Sequence, residues 1–287
     1  IKLHYTANYN AGSVLNLESK TEALPVRHVL KFDLNPGDHL LVQDPIQSLV
    51  ALNTGWNPNT QANGNGIMVT RNGLRFNEEI KWTFLPGTGQ TTCMQFSEDG
   101  KHLFYGTGGG LFRVSGMENI YYPMNNQEVS DAITITRIYS GSNVAGFDIN
   151  PNDPSELIVT LGGYGRGTNV AVIDNIENRS TASAGRSIQG DMPAMPVFDA
   201  EYNINNPNQI VLGTDFGVYV TEDYTQIPTV WTHEVTGFSH APVYDVRQQR
   251  YPGASNEGVI YFGTHGRGIW SSASLVGETE HTDFGDN

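Results

Sequence analysis

The strongest constraint on this chain is an internal repeat of about fifty residues. A short run of leucine, β-branched and aromatic residues that ends at a threonine, usually beside a glycine, occurs five times. The marker threonines are Thr54, Thr107, Thr160, Thr214 and Thr264, so the spacings are 53, 53, 54 and 50 residues, with the register of Thr160 open by one residue. Because one copied unit of this length cannot bury its apolar face alone, neighbouring copies must pack against one another.

A turn-forming cluster precedes each of these runs. Pro presets φ for the first turn position, and Asn or Gly accepts the positive φ of the next, so each cluster predicts a hairpin connection. Another strand candidate lies upstream of each cluster, and some units contain a fourth run that ends near a tryptophan. The clusters occupy residues 35–38, 97–100, 150–153, 206–208 and 251–253.

Four short strands in about fifty residues match the size of a β-propeller blade. The sequence therefore predicts an all-β fold, namely a β-propeller of about five four-stranded blades or an arc of a larger propeller. The predicted domain covers residues 1–276, with blade cores near 28–85, 91–140, 143–190, 195–237 and 240–275, and an acidic tail or linker at 277–287. The last unit lacks a fourth strand, and we predict that residues 1–25 supply it and close the ring, which would remove exposed sheet edges.

The charge balance narrows the range of partners. The 287 residues include 16 Lys and Arg against 30 Asp and Glu, a formal net charge of −14. Nucleic acid and anionic membrane surfaces both require basic patches, so neither is expected as a partner. No apolar run is long enough for a transmembrane helix. Cys93 is the only cysteine, which excludes an internal disulfide bond.

One segment carries a family resemblance. Residues 213–223, Gly-Thr-Asp-Phe-Gly-Val-Tyr-Val-Thr-Glu-Asp, with Trp231 following, resemble the Asp-box or BNR repeat of sortilin-like and xyloglucanase-like propellers. A partial copy covers 66–73 with Asn72 in place of the box Asp, and 263–270 resembles a closing repeat of surface proteins from Bacteroidetes-type bacteria. The resemblance implies a β-propeller outside the cell or on the cell surface of a Gram-negative bacterium, as part of a larger cell-envelope assembly.

Aromatic-Asp pairs recur at the predicted inner strands. If these carboxylates converge on a central channel, Asp33, Asp148 and Asp199 are candidates for the acid/base pair of a glycoside hydrolase. The other interpretation is that each Asp caps a turn or binds amides of the neighbouring blade, and repetition in four units favours it. The pairs are Phe32-Asp33, Phe147-Asp148, Phe198-Asp199 and Tyr244-Asp245.

A calcium loop is a second candidate site. Asp148, Asn150 and Asn152 have the alternating oxygen spacing of such a loop, although the glycine expected at its sixth position is missing. Ca²⁺ is therefore the one cofactor that the sequence allows.

Sialidase activity is not expected. The Arg-Ile-Pro start typical of sialidases is absent, because Tyr139 follows Arg137-Ile138.

Five further residues are candidates for partner binding. Trp56, Tyr121 and Tyr122 lie in the longest loops, where they could form a platform for a sugar or a protein, or cover the apolar edge of the ring. Arg166 and Arg267 occupy similar Gly-Arg-Gly turns and could bind a carboxylate through a bidentate fork, or pin one blade to the next.

The sequence thus predicts a non-catalytic propeller module for binding or scaffolding, which presents its loops to a protein or glycan partner. No asymmetric catalytic constellation is evident beyond the recurrent carboxylates. A glycoside hydrolase that uses channel-facing carboxylates is the alternative.

Overall fold

The computed structural model describes residues 50–57, 62–70, 79, 81–97, 99–234, 240–250 and 254–276. These residues form eighteen strands in five antiparallel sheets, which we name A to E in chain order. The predicted all-β class is thereby confirmed. In the described part of the chain, no helix has the length and apolar character needed to cross a membrane.

Each sheet is a meander of strands that are consecutive in the chain. Sheet A contains β1 (Val50–Asn57), β2 (Ala62–Thr70) and β3 (Thr83–Leu85). Sheet B contains β4 (Cys93–Phe96), β5 (His102–Thr107), β6 (Gly110–Ser115) and β7 (Thr134–Tyr139), with helix α1 (Asn126–Ala132) between the last two. Sheet C contains β8 (Val144–Ile149), β9 (Leu157–Leu161), β10 (Val170–Ile173) and β11 (Arg186–Ser187).

The last two sheets follow the same order. Sheet D contains β12 (Val197–Tyr202), β13 (Ile210–Thr214), β14 (Gly217–Thr221) and β15 (Thr232–Glu234). Sheet E contains β16 (Val243–Gln248), β17 (Ile260–Thr264) and β18 (Gly268–Ser272).

The three-stranded sheets A and E represent different parts of the repeat. In sheets B to E the marker threonine lies in the second strand, but in sheet A Thr54 lies in β1. Sheet A therefore shows the second to fourth strands of its unit, and sheet E the first to third. The first-strand candidate of unit A precedes residue 50 and lies outside the described residues, as do the predicted closing segment 1–25 and the tail 277–287.

In sheets B, D and E the marker threonine closes the turn between the second and third strands, whereas in sheet C the equivalent position is Leu161, one residue after Thr160. Thr214 Oγ1 donates a hydrogen bond to the carbonyl of Gly217 at 2.8 Å and accepts one from Phe216 N at 3.1 Å. Gly217 has φ of 84°, a left-handed conformation that favours glycine. The same threonine-to-glycine bond occurs at Thr107–Gly110 and Thr264–Gly268. The Gly-Thr-x-x-Gly pattern is thus explained by turn geometry.

Consecutive sheets bury apolar side chains between them. Ile67 and Leu85 of sheet A share a cluster with Met94 and Leu103 of sheet B, and similar clusters join B to C, C to D and D to E. The glycine before the marker threonine allows this close approach. A Cβ at Gly213 would lie 2.7 Å from the carbonyl oxygen of Val243 in the next sheet, so a side chain there would clash.

Candidate functional site

The first strands of sheets C, D and E carry a β-bulge at the same position. The pairing register shifts directly after Val144, Val197 and Val243. Aligned on this bulge, Asp199 of sheet D corresponds to Asp245 of sheet E, and both follow an aromatic residue that occupies the bulge.

This alignment corrects the predicted recurrence of aromatic-Asp pairs. Asp148 lies two residues further along its strand, and its structural equivalent in sheet D is Glu201. The sequence similarity of Phe147-Asp148 to Phe198-Asp199 is misleading because Phe147 occupies a paired position, whereas Phe198 occupies the bulge. Carboxylates in sheets C to E therefore occupy two different strand positions, and among these sheets only D has one at both.

In sheets C and D, each carboxylate at one of these two strand positions binds a backbone amide of the following sheet. Asp148 Oδ2 accepts a hydrogen bond from Tyr202 N at 2.9 Å, and Asp199 Oδ2 accepts one from Val246 N at 3.0 Å. Glu201 Oε1 accepts one from Gln248 N at 2.9 Å. All three carboxylates are buried. Amide-to-carboxylate bonds in a buried setting are charge-assisted, so they hold the sheets in register.

Two arginines neutralise these carboxylates. Arg247 lies in β16, and Arg250 lies in the connection between β16 and β17. Arg247 Nη1 lies 2.5 Å from Asp199 Oδ2, and Nη2 lies 2.6 Å from Asp245 Oδ1. Arg250 pairs with Asp148 and lies 3.1 Å from Glu201 Oε1. We call these residues the ion cluster; its members are Asp148, Asp199, Glu201, Asp245, Arg247 and Arg250.

The ion cluster keeps both guanidinium groups charged. Burial acts to lower the pKa of Arg247, but Asp199, Asp245 and Glu201 outweigh it and raise that pKa above its ordinary value. The pKa of Arg250 is raised in the same way, against burial, by Asp148 and Glu201. Buried charges on this scale persist only when they are paired, and the pairs here link three different sheets.

The sequence allowed two roles for Asp148 and Asp199, one catalytic and one structural. The geometry supports the structural role. Both are engaged by backbone amides and by arginine, and both are buried. A general acid or nucleophile of a glycosidase must instead reach the sugar from an open cleft. Asp33, the third candidate, lies outside the described residues.

The candidate calcium ligands serve the turn and its neighbours. Asn150 Oδ1 accepts a hydrogen bond from Asn152 N at 2.9 Å, whereas Asp148 faces sheets D and E. Glu156, at the end of this segment, accepts from Asn150 Nδ2 at 3.0 Å and from the Tyr224 hydroxyl at 2.5 Å. In the described ranges, no three His, Cys, Asp or Glu side chains are grouped so that they could hold a metal ion.

Exposed aromatic and imidazole rings gather at one end of sheets D and E. We call this the turn end: the end of each sheet at which its second strand turns into its third. Phe216 lies in that turn of sheet D and stacks on His240 with centroids 4.2 Å apart and planes inclined by 12°. His240 in turn lies 5.2 Å from His233, which stacks on Tyr219 at 4.6 Å.

A second group of rings lies at the bulges and the turn of sheet E. The bulge residues Phe198 and Tyr244 contact each other across sheets D and E, with ring centroids 4.6 Å apart. Tyr244 also meets His265, in the turn of sheet E, edge to face at 5.7 Å. Phe216 and Tyr244 are each nearly half exposed, at 46% and 47%. The sequence analysis named Phe198 and Tyr244 only as neighbours of the recurrent Asp residues, and it did not name Phe216 and His265, which follow the marker threonines Thr214 and Thr264.

The carboxylates beside these rings already have partners. The Tyr164 hydroxyl donates a hydrogen bond to Asp215, which links the turn ends of sheets C and D and raises the pKa of that phenol. Asp245 is paired with Arg247 of the ion cluster. The acids nearest to the exposed rings of the turn end are therefore already engaged, and the turn of sheet E also exposes Arg267 and, directly after it, Ile269.

The structure separates the predicted binding residues into two groups. Arg166 and Arg267 lie at the turn end, in the loops after β9 and β17, but a tight turn holds Arg267 and a longer loop holds Arg166. Arg166 donates to Ser142 Oγ at 3.3 Å. Tyr121 and Tyr122 follow β6 at the opposite end of sheet B, and both are exposed.

Trp56 has a described backbone only. It lies in β1, close to the connection between β1 and β2 in sheet A, which is the turn end of that sheet. The structure therefore does not bring Tyr121 and Tyr122 together with Arg166 and Arg267.

Comparison with known proteins gives little further guidance. No family model matches the sequence, and no curated protein is significantly similar to it. Among solved structures, a Bacteroides uniformis ATCC 8492 protein named as a 6-phosphogluconolactonase aligns with a TM-score of 0.48 and 11% sequence identity. The alignment covers 78% of this chain and 64% of that protein, so the chain spans less than two thirds of its length. A similarity this low carries no argument about function.

Proposed function

We propose that this chain is a non-catalytic β-propeller module that binds a protein or glycan partner through its turn end. The propeller itself is part of the proposal. It is supported by five consecutive meander sheets, by the apolar clusters between neighbours, and by bonds that run from the first strand of one sheet to the first strand of the next.

The observation that supports the binding role is that sheets C to E use different residues for contacts between sheets and for their exposed surface. The acidic residues of the first strands are engaged in bonds between sheets. The turn end, in contrast, exposes rings such as Phe216 and Tyr244. Rigid sheets that carry exposed aromatic residues on their turns provide a preorganised surface, which is the usual arrangement of a recognition site.

Localisation at the cell surface of a Gram-negative bacterium, within a larger envelope assembly, remains part of the proposal. It is supported by the resemblance of residues 213–223 and 263–270 to Asp-box propellers of exported proteins.

A paired measurement tests the proposed function. The purified chain is immobilised and probed with an envelope extract and with a glycan array, and it is assayed in parallel for hydrolysis of aryl glycosides and polysaccharides. We expect a retained protein or glycan and no turnover. Turnover that disappears in Asp148→Asn or Asp199→Asn, with both variants folded, would establish the hydrolase alternative instead.

A further inference from the structure

Three connections meet at the turn end of sheets B and C. They are residues 108–109, 140–143 and 162–169, which follow β5, β7 and β9. The backbone of Asn143 joins them: its amide donates to the carbonyl of Gly108 at 3.0 Å, and its carbonyl accepts from the amide of Gly162 at 3.0 Å. We call these three connections the glycine-rich loops. Their backbones are thus held in a fixed arrangement across the junction of the two sheets.

Two arginines border the glycine-rich loops. Arg137, in β7, donates through Nη2 to the carbonyls of Gly109 at 2.5 Å and Ser140 at 3.0 Å. Arg166, in the third loop, donates through Nη1 and Nη2 to Ser142 Oγ at 3.3 and 3.4 Å. The two guanidinium groups therefore contact positions only two residues apart on the same connection.

The positive charges of these arginines are not matched by local acids. The glycine-rich loops contain no acidic residue. In the part of the chain that the structure describes, both guanidinium groups bind neutral oxygens and neither forms an ion pair, and the buried Nε of Arg166 has no hydrogen-bond partner there. Asp215 of sheet D contacts the third loop on its other side, where it accepts from the Tyr164 hydroxyl. Spare guanidinium donors therefore remain at the junction of sheets B and C.

The composition of the glycine-rich loops indicates which anion fits. Apart from Tyr164 and Arg166, they consist of Gly, Ser, Asn and Thr. The cores of protein interfaces are built from aromatic and other large side chains, and these loops supply one such ring. Backbone amides and hydroxyl groups instead suit a ligand that is polar over its whole surface, as a sugar is, and the planar guanidinium fork matches a carboxylate.

We propose that the glycine-rich loops, together with Arg137 and Arg166, form a binding site for an acidic glycan. The carboxylate of a uronic acid unit lies between the two guanidinium groups, on the side of sheet B and away from Asp215, and the loops bind the sugar hydroxyls. Arg267 lies two sheets away, in the turn of sheet E, and takes no part. This inference rests on the proposed function and names the ligand class for one part of the turn end.

Calorimetric titration of the unaltered chain tests the proposal. The probes are hexasaccharides of galacturonic acid and of mannuronic acid, the methyl esters of both, and the acidic peptide hexaglutamate. At least one acidic hexasaccharide binds, and its methyl ester, which has the same sugar without the charge, binds at least about tenfold more weakly. Added salt weakens the binding of the acid, because it screens exposed charges.

Two arginine variants locate the site. Arg137→Gln and Arg166→Gln keep a side-chain donor and remove the charge, and each weakens the acidic hexasaccharide about tenfold. Arg179→Gln is the matched control, since Arg179 also donates to one neighbouring oxygen, the carbonyl of Asp174, but at the opposite end of sheet C. Arg267→Gln is the control within the turn end. Both controls retain affinity within about twofold, and thermal melts verify that all four variants are folded.

The proposal is overturned if neither acidic hexasaccharide binds at millimolar concentration, if the esters or hexaglutamate bind as tightly, or if Arg137→Gln or Arg166→Gln retains full affinity. A loss of the same size in Arg179→Gln or Arg267→Gln also overturns it. The ester comparison uses the unaltered chain, so it decides even where a variant does not fold. If another partner binds through Phe216 while no acidic hexasaccharide does, this inference fails and the proposed function stands. If nothing binds, both fail.

Discussion

Two regions of sheets C to E treat their side chains in opposite ways. The first strands bury acidic side chains, whereas the turn end exposes aromatic ones. In the first strands, Asp148 and Asp199 are buried, and each binds an amide of the next sheet and an arginine. At the turn end, Phe216 and Tyr244 are nearly half exposed, and neither is needed to hold its turn or bulge. A carboxylate near the middle of a repeat is therefore weaker evidence of chemistry than an exposed ring at its end.

The same comparison separates two kinds of junction. Sheets C, D and E are joined by the ion pairs of the ion cluster. Sheets B and C are joined by apolar packing and by hydrogen bonds, in which Thr92 Oγ1 donates to the carbonyl of Val144 at 2.6 Å and Arg113 Nη1 to the carbonyl of Ile176 at 2.7 Å, while Gln95 Nε2 donates to Asp148 at 3.4 Å. Buried ion pairs are costly to break because one charge is left without its partner, so the charged junctions should be the more sensitive to single substitutions.

The largest effect is expected for Asp199→Ala. The substitution leaves Val246 N without its acceptor and removes the closest anion of Arg247, both in a buried setting. We expect a loss of about 3–5 kcal/mol in the free energy of unfolding, measured by urea denaturation. Asp245→Ala is the control: its side chain is 29% exposed, and it should cost clearly less. Equal losses would contradict the bridging role of Asp199.

A double-mutant cycle on Asp148 and Arg250 sharpens the comparison further. Arg250→Met leaves Asp148 with the amide of Tyr202 but without its cation. We expect each single substitution, Asp148→Asn and Arg250→Met, to lower the unfolding free energy by about 2–3 kcal/mol, with a coupling energy of about 1–3 kcal/mol. Additive losses would show that the pair contributes no direct interaction.

The junction between sheets B and C is expected to respond less. Thr92→Val removes the hydroxyl that donates to Val144 and keeps the shape of the side chain. The expected loss is about 1 kcal/mol, which is the usual net value of one hydrogen bond. Thr92→Ser retains the donor and should recover most of that loss. A loss in Thr92→Val as large as that of Asp199→Ala would remove the distinction between the two junctions.

The smallest effect on stability is expected at the exposed rings. Tyr244→Ala removes contacts to Phe198 and His265, so it should cost about 1 kcal/mol or less. Tyr122→Ala should change stability by less than about 0.5 kcal/mol, since its described ring contact is Lys81 at 5.5 Å. Thermal melts of both variants measure this. A loss in Tyr244→Ala comparable to that of the ion cluster would show that the turn end is structural.

The repeat was readable from the sequence because turn geometry repeats in one dimension. Thr214 and Gly217 are required by their own turn, so their spacing recurs along the chain and predicts strands, connections and the all-β class. The ion cluster was only partly readable. Arg247 and Arg250 meet carboxylates about fifty and one hundred residues away, and no local pattern reveals such pairs.

The candidate site was the least predictable part. The prediction that an Asp binds amides of the neighbouring unit agrees with the bonds of Asp148 and Asp199. The ring contacts were missed because a bulge shifts the register by one residue, and a shift of one residue exchanges buried and exposed positions. Phe147 and Phe198 look alike in the sequence because each precedes an Asp. Because of the bulge, however, Phe147 is fully buried and Phe198 contacts Tyr244 at the turn end.

The direction of the bonds between sheets also bears on how the chain is completed. Asp148, Asp199 and Glu201 each accept from an amide that is made later, in the following sheet. A growing polypeptide that has produced sheet C therefore carries an acid whose amide partner emerges only with sheet D, and the acids of sheet D depend in the same way on sheet E. We therefore expect sheets C to E to fold as one cooperative unit, completed when Arg247 and Arg250 pair with the acids of sheets C and D.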